Sequence, residues 1–290
     1  MNNKLLPLAL LTACCVSGSV LAQVANTVPS YYGTVIAKKF YDKNANGHRD
    51  PGEPFLSGWP MTLTGPSFGP NTKPSTATWS GLASGLYWVE EGTPLQTNWF
   101  QSAPTDINGN PINPVSVTVM QYKTKVVKFG NFCKKPSGGR TPGFWSNRNG
   151  EALMNDGGTM APELGLLNAL NLANASGPQG DFLNYGEFET WLLDGNAVNM
   201  AYMLSVHLAA MTLNVEAGLV NEDAFYIPFG GTIGELLDDA NAALAADSFT
   251  PTGDPNRATQ EELKNFLDAL NNNAQVIPPS PCRRTFYTTY

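Results

Sequence analysis

The sequence predicts a protein of two domains: an all-β sandwich over residues 30–132 and a mainly α-helical domain over residues 141–282. In the first region apolar and polar residues alternate over short segments that end at Gly, Pro or Asn, which is typical of strands. In the second region apolar residues recur every three or four positions, which is typical of helices. The stretch 133–140, which contains Pro, Gly and Ser, separates the two patterns and predicts a hinge.

Residues 1–22 have the features of an export signal. A lysine precedes a long apolar stretch, and Val20-Leu21-Ala22 fits a small-residue cleavage site. The stretch is too short and too interrupted to favour a permanent membrane span. Alternatively, Leu11-Thr12-Ala13-Cys14 resembles a bacterial lipobox, in which Cys14 would be lipidated after cleavage. That alternative leaves Cys15 without a partner in an oxidising compartment, so we favour simple secretion.

The composition also fits an exported protein. The formal net charge is -7 and only 14% of residues are charged, while 28 Gly and 22 Pro indicate a chain rich in loops. An acidic surface repels nucleic acid and anionic lipid, and the sequence has no basic run that would oppose this. We therefore expect a secreted, extracellular protein with no nucleic-acid partner and no transmembrane span in its mature chain.

Seven segments of the first domain carry the alternating pattern of a strand, separated by links that contain Gly, Pro or Asn. Seven short strands with regular turns are typical of an immunoglobulin-like sandwich. The predicted strands span residues 34–42, 60–64, 76–82, 85–91, 98–103, 115–120 and 123–129.

The link after the first strand, residues 42–53, follows the pattern D-x-N-x-N-G-x-x-D-x-G-E of an EF-hand-type calcium loop. Ca²⁺ prefers roughly six to eight oxygen ligands, and we predict calcium as the cofactor. The alternative is a solvated turn, because Asp, Asn and Gly also favour turns without a metal. The predicted ligands are side-chain oxygens of Asp42, Asn44 and Asn46, the backbone carbonyl of His48, a direct or water-mediated contact from Asp50, and a closing carboxylate from Glu53.

Proline residues exclude a helix directly after this loop. Pro51 and Pro54 lack the amide donor that a helix requires, and each restricts the residue before it. A calcium sensor of the EF-hand type needs helices that can open, so we expect a structural clamp between two strands and not a switch.

Several stretches of the first domain carry a resemblance to a known family: residues 33–42, 53–64 and 85–91, and the closing Phe129-Gly130-Asn131. With the calcium loop they resemble the B-type repeats of bacterial surface adhesins of the SdrD kind, within the group of Cna B-type, prealbumin-like domains. The resemblance implies a sandwich that serves as a calcium-stabilised spacer in extracellular proteins. Such repeats usually occur in tandem, whereas this chain has one copy, so a long rod is not expected.

Domains of this group sometimes carry an internal amide cross-link between a lysine and an asparagine, promoted by a buried carboxylate. In this sequence the matching places hold Lys38 or Lys39, Glu90 or Glu91, and Asn131, with Lys39, Glu90 and Asn131 as the first choice. A protonated carboxylic acid would polarise the asparagine carbonyl while a neutral lysine attacks it. Calcium-binding members usually lack the cross-link, which argues against it here.

Two cysteines remain after removal of the signal, Cys133 and Cys282. An even number of cysteines in an exported chain predicts a disulfide, which we expect to close the helical domain. The alternative is two unrelated buried thiols. Residues 283–290 lie outside the bridge and form an aromatic tail, which is either an extended pairing strand or a disordered terminus.

The predicted helices of the second domain span residues 162–172, 185–193, 197–213, 233–246 and 260–275. Thr232 with Glu235, and Thr259 with Glu262, have the spacing of capping boxes at two helix starts. Residues 198–213 are apolar nearly all round, which predicts the buried centre of the domain.

The start of the second domain, Gly143-Phe144-Trp145-Ser146-Asn147-Arg148, resembles a Gly-Tyr/Phe-Trp-Lys-Asn-His signature that opens domains of many secreted bacterial proteins. Ser146 and Arg148 replace the usual Lys and His, and no activity is attached to the signature. We expect Phe144 and Trp145 to pack the linker onto the helices and not to form a ligand platform.

The sequence contains no HExxH, GxSxG or Walker motif. His207 lies in an apolar segment, where a core residue is more common than a catalytic base. Acidic pairs could serve glycoside hydrolysis, but such pairs are ordinarily solvated helix faces. We therefore expect no enzyme activity. The pairs to inspect are Glu187 with Glu189, and Asp238 with Asp239.

A carbohydrate-binding module is the alternative function, because six Trp and ten Tyr could line a sugar platform. Trp59, Trp88 and Trp99 lie on predicted strands, where burial is usual, while Trp79 and Trp191 are undecided. We favour a bacterial cell-surface or matrix protein with a structural or adhesive role. Its helical domain would bind a surface or matrix protein, a polysaccharide or a second copy of the chain.

Overall fold

The structure of the protein is a computed structural model that describes residues 32–66 and 68–287. The predicted export signal, the Cys14 motif and residues 288–290 lie outside this part of the chain. None of the helices within it is both long and apolar enough to cross a membrane.

The first domain is a sandwich of two four-stranded sheets. One sheet has the strand order β4-β1-β8-β6 and the other the order β3-β2-β5-β7. Strands β1 and β8 are parallel neighbours, and the other pairs of the two sheets are antiparallel. The strands are β1 Gly33–Tyr41, β2 Pro60–Gly65, β3 Phe68–Pro74, β4 Ala77–Leu82, β5 Gly85–Glu91, β6 Trp99–Ala103, β7 Val115–Val119 and β8 Thr124–Cys133.

The alternating pattern places the core of the sandwich as predicted. Val35 and Ala37 of β1 and Tyr87 and Val89 of β5 are buried, while the residues between them are less buried or exposed. The predicted set lacks β3, so the described domain has eight strands and not seven. This strand contains Pro70 and Pro74, which are tolerated because β3 lies at the edge of its sheet.

The second domain packs seven helices and three short two-stranded ribbons. Its core is formed by α5, which is buried on nearly every side, as its apolar sequence predicts. The ribbons pair β9 Lys135–Pro136 with β14 Gln275–Val276, β10 Ala173–Asn174 with β11 Gly177–Pro178, and β12 Phe225–Tyr226 with β13 Gly231–Thr232. The helices are α1 Pro142–Trp145, α2 Arg148–Met154, α3 Ala161–Asn168, α4 Tyr185–Asp194, α5 Met200–Glu216, α6 Ile233–Ala246 and α7 Arg257–Asn271.

The two predicted capping boxes have different outcomes. Thr232 and Glu235 form a reciprocal box at the start of α6. The box of Thr259 is wrong, because α7 begins earlier, at Arg257. The Arg257 guanidinium donates hydrogen bonds to the carbonyls of Thr250 and Ala197, at 2.9 and 2.8 Å, so tertiary contacts hold the first turn upstream of the predicted start.

The segment predicted as a hinge is held against the helical domain. Ser137 donates from its amide to the Ala274 carbonyl, at 2.8 Å, and the Arg140 amide donates to Asn214 Oδ1, at 2.9 Å. The pairing of β9 with β14 also holds this segment in place. The segment is therefore an ordered part of the fold and not a free linker.

The predicted disulfide between Cys133 and Cys282 is present. It joins the end of β8 to the chain that returns from the helical domain to the sandwich. The returning chain is ordered beyond the bridge: the Leu95 amide donates to the Thr285 carbonyl at 2.8 Å, and the Thr285 amide donates to Gln96 Oε1 at 2.7 Å. The described part of the tail is thus a docked segment and not a disordered terminus.

Candidate functional site: a buried lysine, glutamate and asparagine

Three polar side chains meet inside the apolar core of the sandwich. Lys39 lies on β1 and Asn131 on the parallel neighbour β8, two positions apart in the register, since Lys39 pairs with Phe129 and Tyr41 with Asn131. Glu91 is the last residue of β5 in the opposite sheet. The side chains of Lys39, Glu91 and Asn131 are 0%, 5% and 4% exposed, so all three are removed from solvent.

Lys39 and Glu91 form an ion pair across the two sheets, with Lys39 Nζ donating to Glu91 Oε2. The surroundings of the ammonium group are aromatic: its nitrogen lies 4.3 Å from the centroid of the Trp59 ring and 5.9 Å from that of Phe129. The end of β5 is fixed by Asn113, which exchanges two hydrogen bonds with the Glu91 backbone. The pair is therefore held in a dry and rigid place.

Burial shifts the pKa values of the two groups towards each other. It lowers the pKa of Lys39 to about 8, opposed by the charge and hydrogen bond of Glu91 and assisted by the charge of Arg284. Burial raises the pKa of Glu91, opposed by Lys39 and by a hydrogen bond from Asn131. Both shifts bring the two proton affinities closer together, which lowers the free-energy cost of passing the proton from the lysine to the carboxylate.

The Asn131 side chain lies next to this pair and donates a hydrogen bond to Glu91. Its Oδ1 atom is buried and has no hydrogen-bond partner within residues 32–66 and 68–287. An unsatisfied buried carbonyl is costly and uncommon. The Asn131 amide donates to Glu91 from its nitrogen, so a rotation of the amide would bring Oδ1 to the carboxyl group. In that orientation a protonated Glu91 would donate to the oxygen, and this hydrogen bond would polarise the amide carbon towards attack by an amine.

The structure corrects one member of the predicted set. Glu90 is exposed and points out of the sandwich, whereas Glu91 is buried. The alternation of β5 explains the difference, because Tyr87, Val89 and Glu91 share the inward face. Lys38 likewise lies on the outer side of β1, over the ring of Phe55 at 5.4 Å.

The predicted calcium loop follows β1 directly, and its first and last predicted ligands, Asp42 and Glu53, are both buried. Asp42 accepts the amides of Asn46 and Gly47, at 3.1 and 2.8 Å. Glu53 accepts the amides of Lys43 and Asp50, at 2.7 and 3.0 Å. Two buried carboxylates thus hold the backbone of the loop closed.

The middle ligands lie together at the outer side of the loop. The side-chain amides of Asn44 and Asn46 both donate to Asp50 Oδ2, at 3.0 and 2.7 Å. The amide of His48 donates to Asn46 Oδ1 at 2.7 Å, and the His48 ring is exposed. These side chains therefore satisfy one another by hydrogen bonds.

Gly47 is required by the shape of the calcium loop. Its φ is 78°, a left-handed conformation, and a Cβ atom there would lie 3.0 Å from the Ser102 carbonyl oxygen. Gly47 occupies the position at which the calcium pattern requires a glycine.

The donors of the loop are oxygens only, which fits a hard cation such as Ca²⁺. Burial and the charges of Asp42 and Asp50 raise the pKa of Glu53, against the opposing amide hydrogen bonds, so the carboxylates repel one another without a cation. No ion pair within the described ranges neutralises these three acids, and no three His, Cys, Asp or Glu side chains there converge as a ready-made metal centre. Calcium binding therefore stays a prediction.

The acidic pairs considered for glycoside hydrolysis lie on helix surfaces. Glu187 is an exposed residue in the first turn of α4, where it accepts the amide of Leu183 at 2.9 Å. Asp238 and Asp239 are exposed on α6. An open polar cavity of about 860 Å³ borders α4 and includes Glu187 and Asp194 among its lining residues.

His207 is a core residue, as predicted. It is 9% exposed, and burial lowers its pKa to about 4, so the ring is neutral at neutral pH. Its Nδ1 atom lies 3.8 Å from Asp268 Oδ1. The helix that carries it, α5, forms the core of the helical domain.

Most tryptophan side chains are buried, which weakens the carbohydrate-platform alternative. Trp59, Trp99, Trp79 and Trp191 are at most 9% exposed. Trp88 is 39% exposed, contrary to the prediction, because it lies on the outward face of β5. Two stacked aromatic rings do lie near the surface: Phe100 and Phe132, with 5.6 Å between ring centroids. The Lys134 ammonium lies over both rings.

The aromatic signature at the start of the helical domain packs inward, as predicted. Trp145 is 1% exposed within the helical core, and its ring lies edge-on to Phe144, with 5.2 Å between centroids. The Tyr185 hydroxyl donates to the Trp145 carbonyl at 3.0 Å, which ties the first helix to α4. Through these contacts Phe144 and Trp145 pack the linker against the helices.

Comparison with known proteins shows no matching family model and no matching curated protein. Two solved structures are similar to part of the chain. GBS52, the minor pilin of Streptococcus agalactiae, is 17% identical over 35% of this chain and 44% of its own, with a TM-score of 0.24. BcpA, the major pilin subunit of Bacillus cereus, is 16% identical over 34% of this chain and 29% of its own, with a TM-score of 0.22. The chain thus spans less than half the length of either pilin, and the β-sandwich assignment rests on its own sheet topology.

Proposed function

We propose that this is a secreted structural or adhesive protein of the bacterial surface, whose sandwich is locked by an internal amide between Lys39 and Asn131. The observation that carries the proposal is the burial of Lys39, Glu91 and Asn131 together, with the Asn131 carbonyl oxygen unpartnered among the described residues. A buried ion pair contributes little to stability by itself. A role in a reaction explains the presence of this ion pair in the core better than a role in stability does.

The reaction needs only these three side chains. Lys39 passes its proton to Glu91, and the neutral Nζ attacks Asn131 Cγ. Protonated Glu91 donates a hydrogen bond to Oδ1 and stabilises the negative charge that develops there. The bond from Cγ to Nδ2 then breaks, and the nitrogen leaves as ammonia after receiving a proton through Glu91. One amide forms, one ammonia is released, and no oxidant or cofactor takes part.

The position of the bond suits a structural role. It would join β1 and β8, the first and last strands of the sandwich, which are parallel neighbours. A covalent link that closes a loop of roughly 100 residues stabilises a fold by about 4 to 5 kcal/mol through the entropy of the unfolded chain. Tension applied to the two ends of the domain would then act on a covalent bond and not on backbone hydrogen bonds alone.

We further propose that the loop after β1 binds calcium through Asp42, Asn44, Asn46, His48, Asp50 and Glu53. Three observations support it: oxygen donors only, two buried carboxylates with no cationic partner among the described residues, and the raised pKa of Glu53, which burial causes first and the charges of Asp42 and Asp50 increase. The ion would fix the end of β1, three residues from Lys39. Its role would be stabilisation of the strand that carries the cross-link.

The partner that the charge distribution favours is a second copy of the chain. Residues 134–282 hold 18 of the 24 acidic residues and only six basic ones, whereas residues 32–133 hold eight basic and six acidic ones. The fold also gathers basic residues that are scattered in sequence, since His48, Arg49 and Lys128 line one cavity of about 380 Å³. Opposite charges on the two domains favour head-to-tail contact.

A face for that contact lies on β8. Its residues 124–129 pair with β1 on one side, while the pairing with β6 begins only at Gly130, so half of the outer edge is open in the described structure. The exposed residues there include Val126 and Lys128. An open strand edge is a common docking place for another chain.

Intact-mass measurement of the purified mature protein tests the cross-link. We expect the wild type to be lighter than its sequence by one ammonia beyond the two hydrogens of the disulfide. Lys39→Arg, Glu91→Gln and Asn131→Ala should each restore the full mass, whereas the matched control Glu90→Gln should behave as the wild type. A wild-type protein of full mass would end the proposal.

A further inference from the structure

We infer that the C-terminal segment 283–287, here called the strap, positions the reacting lysine and controls formation of the Lys39–Asn131 bond. The inference rests on the proposed function and assigns a regulatory part to residues outside the sandwich strands. Two strap residues carry it, Arg284 and Phe286, both of which contact the tryptophan that lies against Lys39.

The strap is fastened to the sandwich at several points. The disulfide at Cys282 holds its start next to the end of β8. The Thr285 carbonyl accepts from the Leu95 amide, the Thr285 amide donates to Gln96 Oε1, and Trp99 Nε1 donates to the Arg283 carbonyl at 3.3 Å. The position of the strap is therefore set by both the bridge and the loop before β6.

Trp59 connects the strap to the reacting group. The Phe286 ring lies edge-on to Trp59, with 5.1 Å between centroids, and the Arg284 guanidinium lies 5.6 Å from the same ring. Arg284 is anchored by a hydrogen bond of 2.8 Å to the Ser57 carbonyl. Trp59 is fully buried and contacts the Lys39 ammonium, so the strap helps to cover the wall of the reaction site.

The strap acts on Lys39 in two ways. It keeps water from the Trp59 side, and burial is the main cause of the lowered pKa of Lys39. It also brings the positive charge of Arg284 near the ammonium group, which lowers the pKa of Lys39 further. The charged groups that act on Lys39 are thus Glu91 and Arg284, one opposing and one favouring the neutral amine.

The order of the segments along the chain determines when the strap can dock and when the cross-link can form. The strap follows the whole helical domain in sequence, and its anchor Cys282 pairs with Cys133, 149 residues earlier. The strap can dock only after the intervening chain has been synthesised. The cross-link would therefore form late and would mark a chain that is complete as far as the strap.

A time course of cross-linking in newly made protein tests the inference. The mature chain is synthesised in an oxidising cell-free mixture, quenched with acid at intervals, and weighed for loss of ammonia. We expect Arg284→Gln and Phe286→Ala to slow the loss about tenfold near neutral pH, which corresponds to about one unit in the pKa of Lys39. The matched control Arg283→Gln, at an exposed neighbouring position, should react as the wild type.

The dependence of the rate on pH separates positioning from simple loss of structure. In Arg284→Gln the rising limb of the profile, which reports loss of the first of the two protons that the Lys39–Glu91 pair can hold, should move to higher pH, and Arg284→Lys should move it back. Variants that react at the wild-type rate with an unchanged profile would overturn the role of the strap while leaving the cross-link itself intact. A wild type that never loses ammonia would instead overturn the proposed function.

Discussion

Lys39 on β1 and Glu91 on β5 form a buried ion pair that bridges the two sheets of the sandwich. Moving two charged groups out of water costs several kcal/mol. The attraction between the two charges offsets this cost only when their geometry is good. The pair lies next to Trp59 and Asn131, beside the apolar core of the sandwich. The contribution of the ion pair to stability can be measured separately from that of the proposed amide bond.

Removal of one partner of the ion pair should be costly even without the cross-link. In an Asn131→Ala background, where no amide can form, Glu91→Ala leaves the lysine buried and uncompensated. We expect a loss of about 3 to 5 kcal/mol in the free energy of unfolding, measured by chemical denaturation. Glu90→Ala in the same background should change it by less than about 0.5 kcal/mol, because Glu90 is an exposed residue. Equal effects of the two substitutions would show that the pair is not buried.

Calcium should stabilise the sandwich through binding to the folded state. At a free concentration 100 times the dissociation constant the gain is about 2.7 kcal/mol. We expect chelation to lower the thermal transition of one domain, and Asp42→Ala and Glu53→Ala to abolish the shift. Asp106→Ala is a matched control, because Asp106 closes a similar hydrogen-bonded loop by accepting the amides of Asn108 and Asn110. An unfolding curve that calcium does not change would show that the loop is a turn and not a calcium site.

The raised pKa of Glu53 predicts how stability depends on pH in the absence of calcium. A carboxyl group whose pKa is higher in the folded than in the unfolded state stabilises the fold when it is protonated. This contribution is present below the unfolded value and is lost as the pH rises through the folded value, which lies above the ordinary range of glutamate. With chelator, the unfolding temperature of Glu53→Ala should therefore fall less than that of the wild type over this rise in pH. A parallel pH dependence in both proteins would contradict the assignment.

Reduction of the disulfide should loosen the strap before it unfolds either domain. Loss of the bridge between Cys133 and Cys282 is expected to cost about 2 to 5 kcal/mol. The Leu95 amide, which donates to Thr285, should then exchange its hydrogen much faster, as measured by hydrogen exchange. The Gly92 amide, which donates to Pro60 within the sandwich, serves as the internal control. Unchanged exchange at Leu95 would show that the strap is held without the bridge.

The separation of charge between the domains predicts self-association that weakens with salt. We expect sedimentation to show larger species at low ionic strength and monomers at about 0.5 M salt, where charges are screened within a few ångströms. Lys128→Glu on the open edge of β8 should reduce the association, whereas Lys73→Glu on the edge strand β3 of the other sheet should not. A monomer at every salt concentration would exclude the proposed partner.

The sequence predicts much of this architecture because periodicity is local. The alternation of β1, β5 and β8 places Lys39 and Asn131 on the inward face, and the same alternation selects Glu91 over Glu90 once Tyr87 and Val89 are taken as core. The missed element β3 has prolines, and α1 and α2 are too short for a helical period to show.

The strap could not be predicted in this way. Its contacts join residues that are far apart in sequence, such as Leu95 with Thr285 and Trp59 with Phe286. No local pattern in an Arg-Arg-Thr-Phe-Tyr run indicates where it docks. The cysteine pairing identified its anchor, and the docked position follows only from tertiary structure.

The most direct measurement is a tryptic digest of the mature protein followed by tandem mass spectrometry. A lysine in an amide resists trypsin, so the account predicts one branched peptide in which Lys39 is joined to Asn131 with loss of ammonia. This peptide should be absent from the Asn131→Ala protein. Recovery of the wild-type peptides as separate linear chains, with cleavage after Lys39 and an intact Asn131, would contradict the central claim.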